Sequence, residues 1–221
     1  MKLITEKYEE QKSRWPKMGR HILAQFDAES IVVYQAYKPS IGRFAAENGF
    51  FGGSFSLERM SWIKPNFLWM MYRCGWAAKF NQETVLAVRI SRLGFDTILA
   101  QAVHSSFDAE RYGTEEKWGE ALGRYPVRLQ WDPDHTPHGH KEERRAIQLG
   151  LKGAVLAKYA REWIVSIEDI SHFCREQAAH VQARRMSALL TPREDVYPVL
   201  NAEVAQRIGV DSWNPAEVPA S

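Results

Sequence analysis

A chain of 221 residues with 45% hydrophobic and 25% charged residues has the length of one domain with a small appendage and the composition of a globular protein, which excludes a wholly disordered, collagenous or disulfide-stapled chain. Its 29 Lys and Arg against 27 Asp and Glu leave a formal net charge of +2, so a basic site, where there is one, has to be local. Cys74 and Cys174 are the only cysteines, far apart and outside any CxxC, and signal neither a disulfide framework nor a zinc site.

The opening stretch MKLITEKYEEQKSRW mixes acids and bases without an apolar core, so it does not read as a secretory signal and a cytoplasmic protein is expected. Residues 1–18 read as a polar, loosely held leader to a domain spanning 19–185. Ile31 to Tyr34 is a β-branched and aromatic run that predicts a buried strand, ended by Pro39. Ile41, Phe44 and Ala45 recur at helical spacing up to Gly49, which predicts a helix stopped by that glycine. After the Gly52-Gly53 loop, Met60 to Ile63 suits a short strand, and Pro65 suits the first turn of a helix. Phe67 to Met71 is apolar on nearly every face, which fits a buried helix or a central strand; it is assigned as helix. At six residues, the run Phe67–Tyr72 is far short of the ~18 to 20 a membrane span requires.

Val85 to Ile90 predicts a strand, Phe95, Ile98, Leu99 and Ala102 a helical stripe, and Thr114 the N-cap of a helix over 114–122. Val127, Leu129 and Trp131 alternate with Arg128 and Gln130, the strongest period-two signal in the chain, and Asp132-Pro133 is expected to end that strand. Residues 133–143 read as a polar loop. A strand over 146–151, a helix over 155–159, a strand over 163–167 and a long helix from Ile170 to about Arg185 follow. Beyond them, residues 186–221 carry Pro192, Pro198, Pro215 and Pro219 with little apolar content and read as a peripheral tail. The sum is an α+β single domain with a mixed, largely antiparallel, split sheet flanked by helices.

His135, His138 and His140 with Asp132 and Asp134 are metal-capable types crowded into nine residues, but without HExxH spacing or a rigid element they read as a solvated loop, and no metal is expected. GxxxxGK[ST], GxGxxG and GxSxG are absent, which removes the usual marks of a P-loop, a Rossmann dinucleotide site and an α/β-hydrolase. What remains is a polar set at strand ends: Gln35 and Tyr37, then Arg59, Ser61 and Lys64 around Trp62, then Tyr72 and Arg73, then Glu168. Arg and Lys hold phosphates, Trp and Tyr stack on flat heterocycles, and a glutamate binds a ribose hydroxyl or steadies a developing cation.

The segments SWIKPNFLWMMYRCGW (61–76), IVVYQAY (31–37), RLQWDP (128–133), AIQLGL (146–151) and EWIVSIEDI (162–170) occur in the order found in the domain of unknown function 4291 family, and the chain resembles that family from about Arg20 to Phe173. It departs from the family's RQIRA pattern at His21 and Leu23. In layout, a first strand ending in Gln35 and Tyr37, an aromatic-rich second segment and a late strand ending in Glu168 resemble ADP-ribosyltransferase-like domains. That resemblance implies NAD as cofactor, with Gln35 in place of the usual His or Arg on the ribose and with Glu168, Asp169 or Glu162 as the late acid.

Two functions are therefore expected. The first is an NAD-binding transferase with Arg59, Lys64 or Arg73 on the pyrophosphate, Trp62 or Tyr72 against the nicotinamide, and Glu168 as the catalytic carboxylate that supports glycosidic cleavage by stabilising an oxocarbenium-like centre. The alternative is a non-catalytic module for RNA or a protein, in which Trp62, Trp69, Trp76 and Trp131 form a stacking surface flanked by Arg73, Arg89, Arg92 and Arg128.

Overall fold

The computed structural model describes residues 3–214; residues 1–2 of the expected leader and 215–221 of the expected tail, with Pro215 and Pro219, lie outside the described residues. The chain begins with β1 (Thr5–Lys7), α1 (Tyr8–Lys12), β2 (Gly19–Arg20), β3 (Leu23–Ala24), β4 (Ser30–Tyr37), α2 (Pro39–Asn48), β5 (Ser61–Ile63) and α3 (Phe67–Cys74). It continues with β6 (Thr84–Ser91), α4 (Arg92–Ala100), β7 (Ala102–His104), α5 (Ala109–Tyr112), α6 (Glu115–Arg124), β8 (Val127–His135) and β9 (Lys141–Leu151). It ends with α7 (Gly153–Arg161), β10 (Ile164–Asp169), α8 (Ser171–Gln182), a 3-10 turn (Met186–Ala188), β11 (Leu190–Pro192), β12 (Asp195–Val196) and α9 (Ala202–Ile208).

The sheet is split, as expected of this α+β domain. One half is the antiparallel order β10-β6-β4; the other runs β2-β9-β8-β7, with β5 also paired to β9. β2 on β9 and β7 on β8 are parallel, and the remaining pairs in the two halves are antiparallel. The halves meet at one backbone bridge: Tyr34 N donates to Lys64 O at 2.7 Å, and Lys64 N donates to Tyr34 O at 3.2 Å. β4 is buried on both faces, which is why its sequence is a continuous apolar run and not an alternation. Ile31 and Val33 face a core shared with α4, α7, β8 and β9. Val32 and Tyr34 face a second core built by α3 and α8.

Local chemistry sets the helix ends. Pro39 opens α2, and Gly49 closes it in the left-handed region at φ 73, a conformation that costs glycine nothing. The Asn66 side chain accepts from Trp69 N at 2.7 Å and caps α3, which settles the Phe67 to Met71 segment as helix. Thr114 caps α6 as its position predicts.

Four expectations are corrected. β8 does not stop at Asp132-Pro133 but continues to His135, with its register to β9 shifting between Pro133 and His135; a bulge there tolerates a residue that has no N–H to donate. The expected polar loop 133–143 is therefore a hairpin tip, with Thr136 N donating to His140 O at 2.8 Å. Ala102 belongs to β7 and not to the preceding helix. The leader and the tail are not loose: they pair with each other, and apolar groups of both are buried in the two cores. β1 pairs with β11, Trp15 is 4% exposed and donates through Nε1 to Glu194 O at 2.8 Å, and Tyr197, Val204 and Ile208 join the first core.

Candidate functional site

A cleft of about 510 Å³ opens at the seam between the two half-sheets. Its walls are the end of β4 (Gln35, Tyr37), the approach to β5 (Arg59, Met60), β5 and the turn after it (Ser61, Trp62, Lys64), α3 (Met70, Arg73) and the outward face of β8 and β9 (Gln130, Gln148). An adjoining hollow of about 470 Å³ shares Tyr37, Arg59, Met60 and Ser61 and runs on toward Phe55 and Ile41. The cleft thus brings together seven of the residues singled out from sequence: Gln35, Tyr37, Arg59, Ser61, Trp62, Lys64 and Arg73. A cavity of similar size, about 520 Å³, lies between α5 and α9, but two of its three arginines are already engaged. Arg111 donates to the Gln206 and Arg207 carbonyls, and Arg207 donates to Ala100 O at 2.7 Å.

Lys64 is the electrostatic centre of the cleft. Its backbone is pinned to Tyr34 at the seam, its residue exposure is 5%, and its ammonium has no hydrogen-bond or ion-pair partner among the described residues. Burial pushes its pKa down from the ordinary 10.5 to about 8; the nearby Arg73 charge adds to the depression and Asp132 opposes it. A buried cation without a counter-ion costs stability. Arg59 and Arg73 are exposed at the mouth, and Arg73 donates to Gln82 Oε1 at 3.2 Å. The arrangement suits an anion entering between the two arginines and ending on Lys64.

Gln35 is a hub of the cleft wall. Its Nε2 donates to Tyr37 Oη at 2.7 Å, Ser61 Oγ at 2.9 Å and Trp62 O at 3.2 Å, and its Oε1 accepts from Tyr159 Oη at 2.7 Å. The amide is therefore committed to protein partners, and the hydroxyls it orients are what the wall presents. Tyr37 Oη and Ser61 Oγ lie 2.6 Å apart; one donates to the other, leaving a single hydroxyl hydrogen to face the cleft. Burial raises both tyrosines' pKa values, so they act as neutral phenols. Tyr159→Phe leaves a buried carbonyl oxygen unpaired and is expected to cost about 1–3 kcal/mol, measured as a lowered urea midpoint at unchanged slope.

The far wall is the polar side of the alternating strand β8 and its partner. Gln130 and Gln148 are directly opposite in register, and Gln148 Nε2 donates to Gln130 Oε1 at 2.7 Å and to Asp132 Oδ2 at 2.6 Å. Trp62 lies across Gly150, its own partner on β9. A methyl group on Gly150 would come within 2.6 Å of Met60 Sδ and 3.0 Å of the Trp62 ring. Gly150→Val is expected to displace both side chains into the cleft and to cost about 1–3 kcal/mol by overpacking, measured as a lower melting temperature.

Two of the predicted residues stand elsewhere. Glu168 is exposed on the edge strand β10, in register with Ala87 and, through it, with Tyr34. Residues opposite one another share a face, so Glu168 lies on the Tyr34 face and Gln35 on the other. Asp169 shares the Gln35 row two strands away and accepts from Ser171 N at 2.9 Å; Glu162 is exposed at the end of α7. Tyr72 stacks on His135 with ring centres 3.5 Å apart, outside the cleft, under the hairpin tip.

The tryptophans do not form one surface. Trp69 is buried and stacked with Tyr72 and His135, Trp76 packs on Phe67, and Trp131 donates to Ile208 O at 2.7 Å. Of the flanking arginines, Arg89 donates to Ser30 Oγ at 2.8 Å, Arg92 lies over the Tyr197 ring, and Arg128 donates to Tyr125 O at 2.6 Å. His135 is buried away from His138 and His140, and no group of three or more His, Cys, Asp or Glu among the described residues is placed to hold a metal ion. His21 is buried against Trp213 and Leu23 sits in β3, so the divergent stretch 20–24 is packing. Among the described residues no helix is long and apolar enough to cross a membrane. Gln130 and Gln148 were missed from sequence, although both glutamines stand on the outward phase of strands whose inward phase is apolar.

The family described as a domain of unknown function (DUF4291) matches residues 21–197, and the chain belongs to it. The match reaches past α8 to Tyr197, taking in β11 and β12. No curated protein matches the chain.

Proposed function

We propose that the cleft binds a phosphate-bearing nucleotide, with NAD the first candidate, and that Lys64, Arg59 and Arg73 hold its phosphates. The observation that carries this reading is the unpartnered ammonium of Lys64: a buried cation is costly in the free protein, and an anionic ligand is the partner that offsets the cost. NAD is put first by the layout resemblance to ADP-ribosyltransferase-like domains, and transfer of ADP-ribose is the reaction that resemblance attaches to such a site. Trp62 offers the flat face beside the phosphates. Glu168 takes no part, since it stands on the other side of the sheet. The RNA-binding alternative loses support from the dispersed tryptophans and the committed arginines.

The test is a thermal-shift and calorimetric comparison of NAD, ADP-ribose, adenosine and a short single-stranded RNA on the wild type, Lys64→Met and Glu168→Gln, with nicotinamide release from NAD followed in parallel. Stabilisation by NAD and ADP-ribose but not by adenosine, lost in Lys64→Met and kept in Glu168→Gln, is the expected result. A response to RNA alone, steeply weakened by salt, would overturn it.

A further inference from the structure

We infer that the far wall of the cleft reads an amide-like edge of the ligand, an acceptor adjacent to an N–H donor, through Gln130 Nε2 and Gln148 Oε1. The inference rests on the reading of the cleft as a nucleotide site. It comes from the direction of the hydrogen bonds around Asp132. A carboxylate only accepts, so the Gln148 atom 2.6 Å from Asp132 Oδ2 is the NH₂. The second hydrogen of that NH₂ goes to Gln130, which fixes the Gln130 atom at 2.7 Å as its carbonyl oxygen. One carboxylate thereby sets the orientation of two amides that would otherwise be free to flip.

What is left over points to a ligand. Gln130 keeps its NH₂ and Gln148 keeps its carbonyl oxygen, and neither atom has a partner among the described residues, while both side chains line the cleft. They stand directly opposite each other in the β8–β9 register, where side chains emerge ~5 Å apart, so donor and acceptor sit side by side. The chemistry that satisfies both is an acceptor beside an N–H: the carboxamide of nicotinamide, or N7 with the 6-amino group of adenine. Lys64, on the same cleft and within electrostatic reach of Asp132, would hold the phosphate of such a ligand while the glutamines read its other end. Asp132 is then a positioning residue that acts through Gln148.

The experiment measures dissociation constants by calorimetry for inorganic pyrophosphate, nicotinamide mononucleotide, nicotinic acid mononucleotide, AMP and IMP, on the wild type, Gln130→Met and Gln148→Met, each checked for an unaltered circular dichroism spectrum. A bidentate edge contact discriminates by about tenfold or more. If the carboxamide is read, nicotinamide mononucleotide binds about tenfold or more tightly than its acid counterpart; if adenine is read, AMP exceeds IMP by that factor. In either case both glutamine variants lose the preference and keep the wild-type affinity for pyrophosphate. Pyrophosphate binding with no preference within either pair, or a preference that survives in the folded variants, overturns the inference and leaves the Lys64 reading standing. Failure of pyrophosphate and of every mononucleotide to bind overturns both. Since either glutamine variant could fail to fold, Asp132→Asn is the second probe: it frees both amides to flip and is expected to weaken the preference within each pair while pyrophosphate still binds.

Discussion

Lys64→Met is expected to make the protein more stable and unable to hold its ligand. The ammonium is buried and unpaired, and the difference between an ordinary pKa of 10.5 and one of about 8 corresponds to roughly 3 kcal/mol of penalty for the charged form. Methionine fills a similar volume without the charge. The sign with pH follows from proton counting: between about 8 and 10.5 the unfolded chain binds the proton that the folded one has released, so wild-type stability rises across that window. The advantage of Lys64→Met is therefore full below about pH 8 and shrinks to nothing above 10.5. Affinity for ADP-ribose moves the other way, falling about 10- to 100-fold in the variant as a charge-assisted contact is lost. Urea unfolding of both proteins at pH 7 and pH 10.5, with calorimetry at pH 7, measures all three effects. A variant less stable than the wild type at pH 7 would show that Lys64 is held by a structural partner.

Arg144→Met has the largest expected cost. Arg144 is buried, donates through Nε and Nη2 to Asp134 Oδ2 at 2.9 and 2.6 Å and through Nη1 to Pro16 O at 2.6 Å, and lies over the Trp15 ring. Asp134 is fully buried, and Glu194, itself buried and pushed well above the usual carboxyl range by burial, stands beside it through Asn66. Removing the cation leaves Asp134 as a buried charge without a counter-ion, a change that costs about 3–5 kcal/mol out of the roughly 5–15 kcal/mol typical of a domain. At about 2–4 °C per kcal/mol for a chain of this size, the melting temperature falls by about 6–20 °C. The same change unties the segment before β2 from β9, so cleavage near Trp15 under limited proteolysis is expected to accelerate. A loss below about 1 kcal/mol would mean that water reaches Asp134.

The parts of the fold that were legible are those whose signal is local. The buried strand β4, the Gly49 stop, the Thr114 cap and the β8 alternation each depend on residues within one element. The misread parts depend on residues far apart in sequence. The leader and tail look polar because neither carries a core alone; Trp15 is covered by Arg144 of β9 and donates its indole N–H to Glu194, 179 positions downstream. Pro133 reads as a stop because the bulge that tolerates it is a property of the β8–β9 pair. At the site, Gln35, Tyr37, Arg59, Ser61, Lys64 and Arg73, with Trp62 among them, were legible as a polar set embedded in apolar or aromatic segments. Gln130 and Gln148 were not, because an outward polar residue on an alternating strand looks like solvent-facing surface until a second layer, here α3, is known to stand over it. Glu168 was misplaced for a related reason: a strand's order in the chain does not determine its position in the sheet, and β10 lies at the edge.

The ionisation of Lys64 is the sharpest probe of an anion site at the seam. Carbon-13 at lysine Cε, assigned by its disappearance in Lys64→Met, reports the titration midpoint by NMR in the free protein and at saturating ADP-ribose. A midpoint of about 8 is expected in the free protein, with a clear upward shift when the ligand is bound, since a neighbouring anion favours the charged form. A midpoint near 10.5 in the free protein, or one that saturating ADP-ribose leaves unmoved, would contradict an anion site at Lys64.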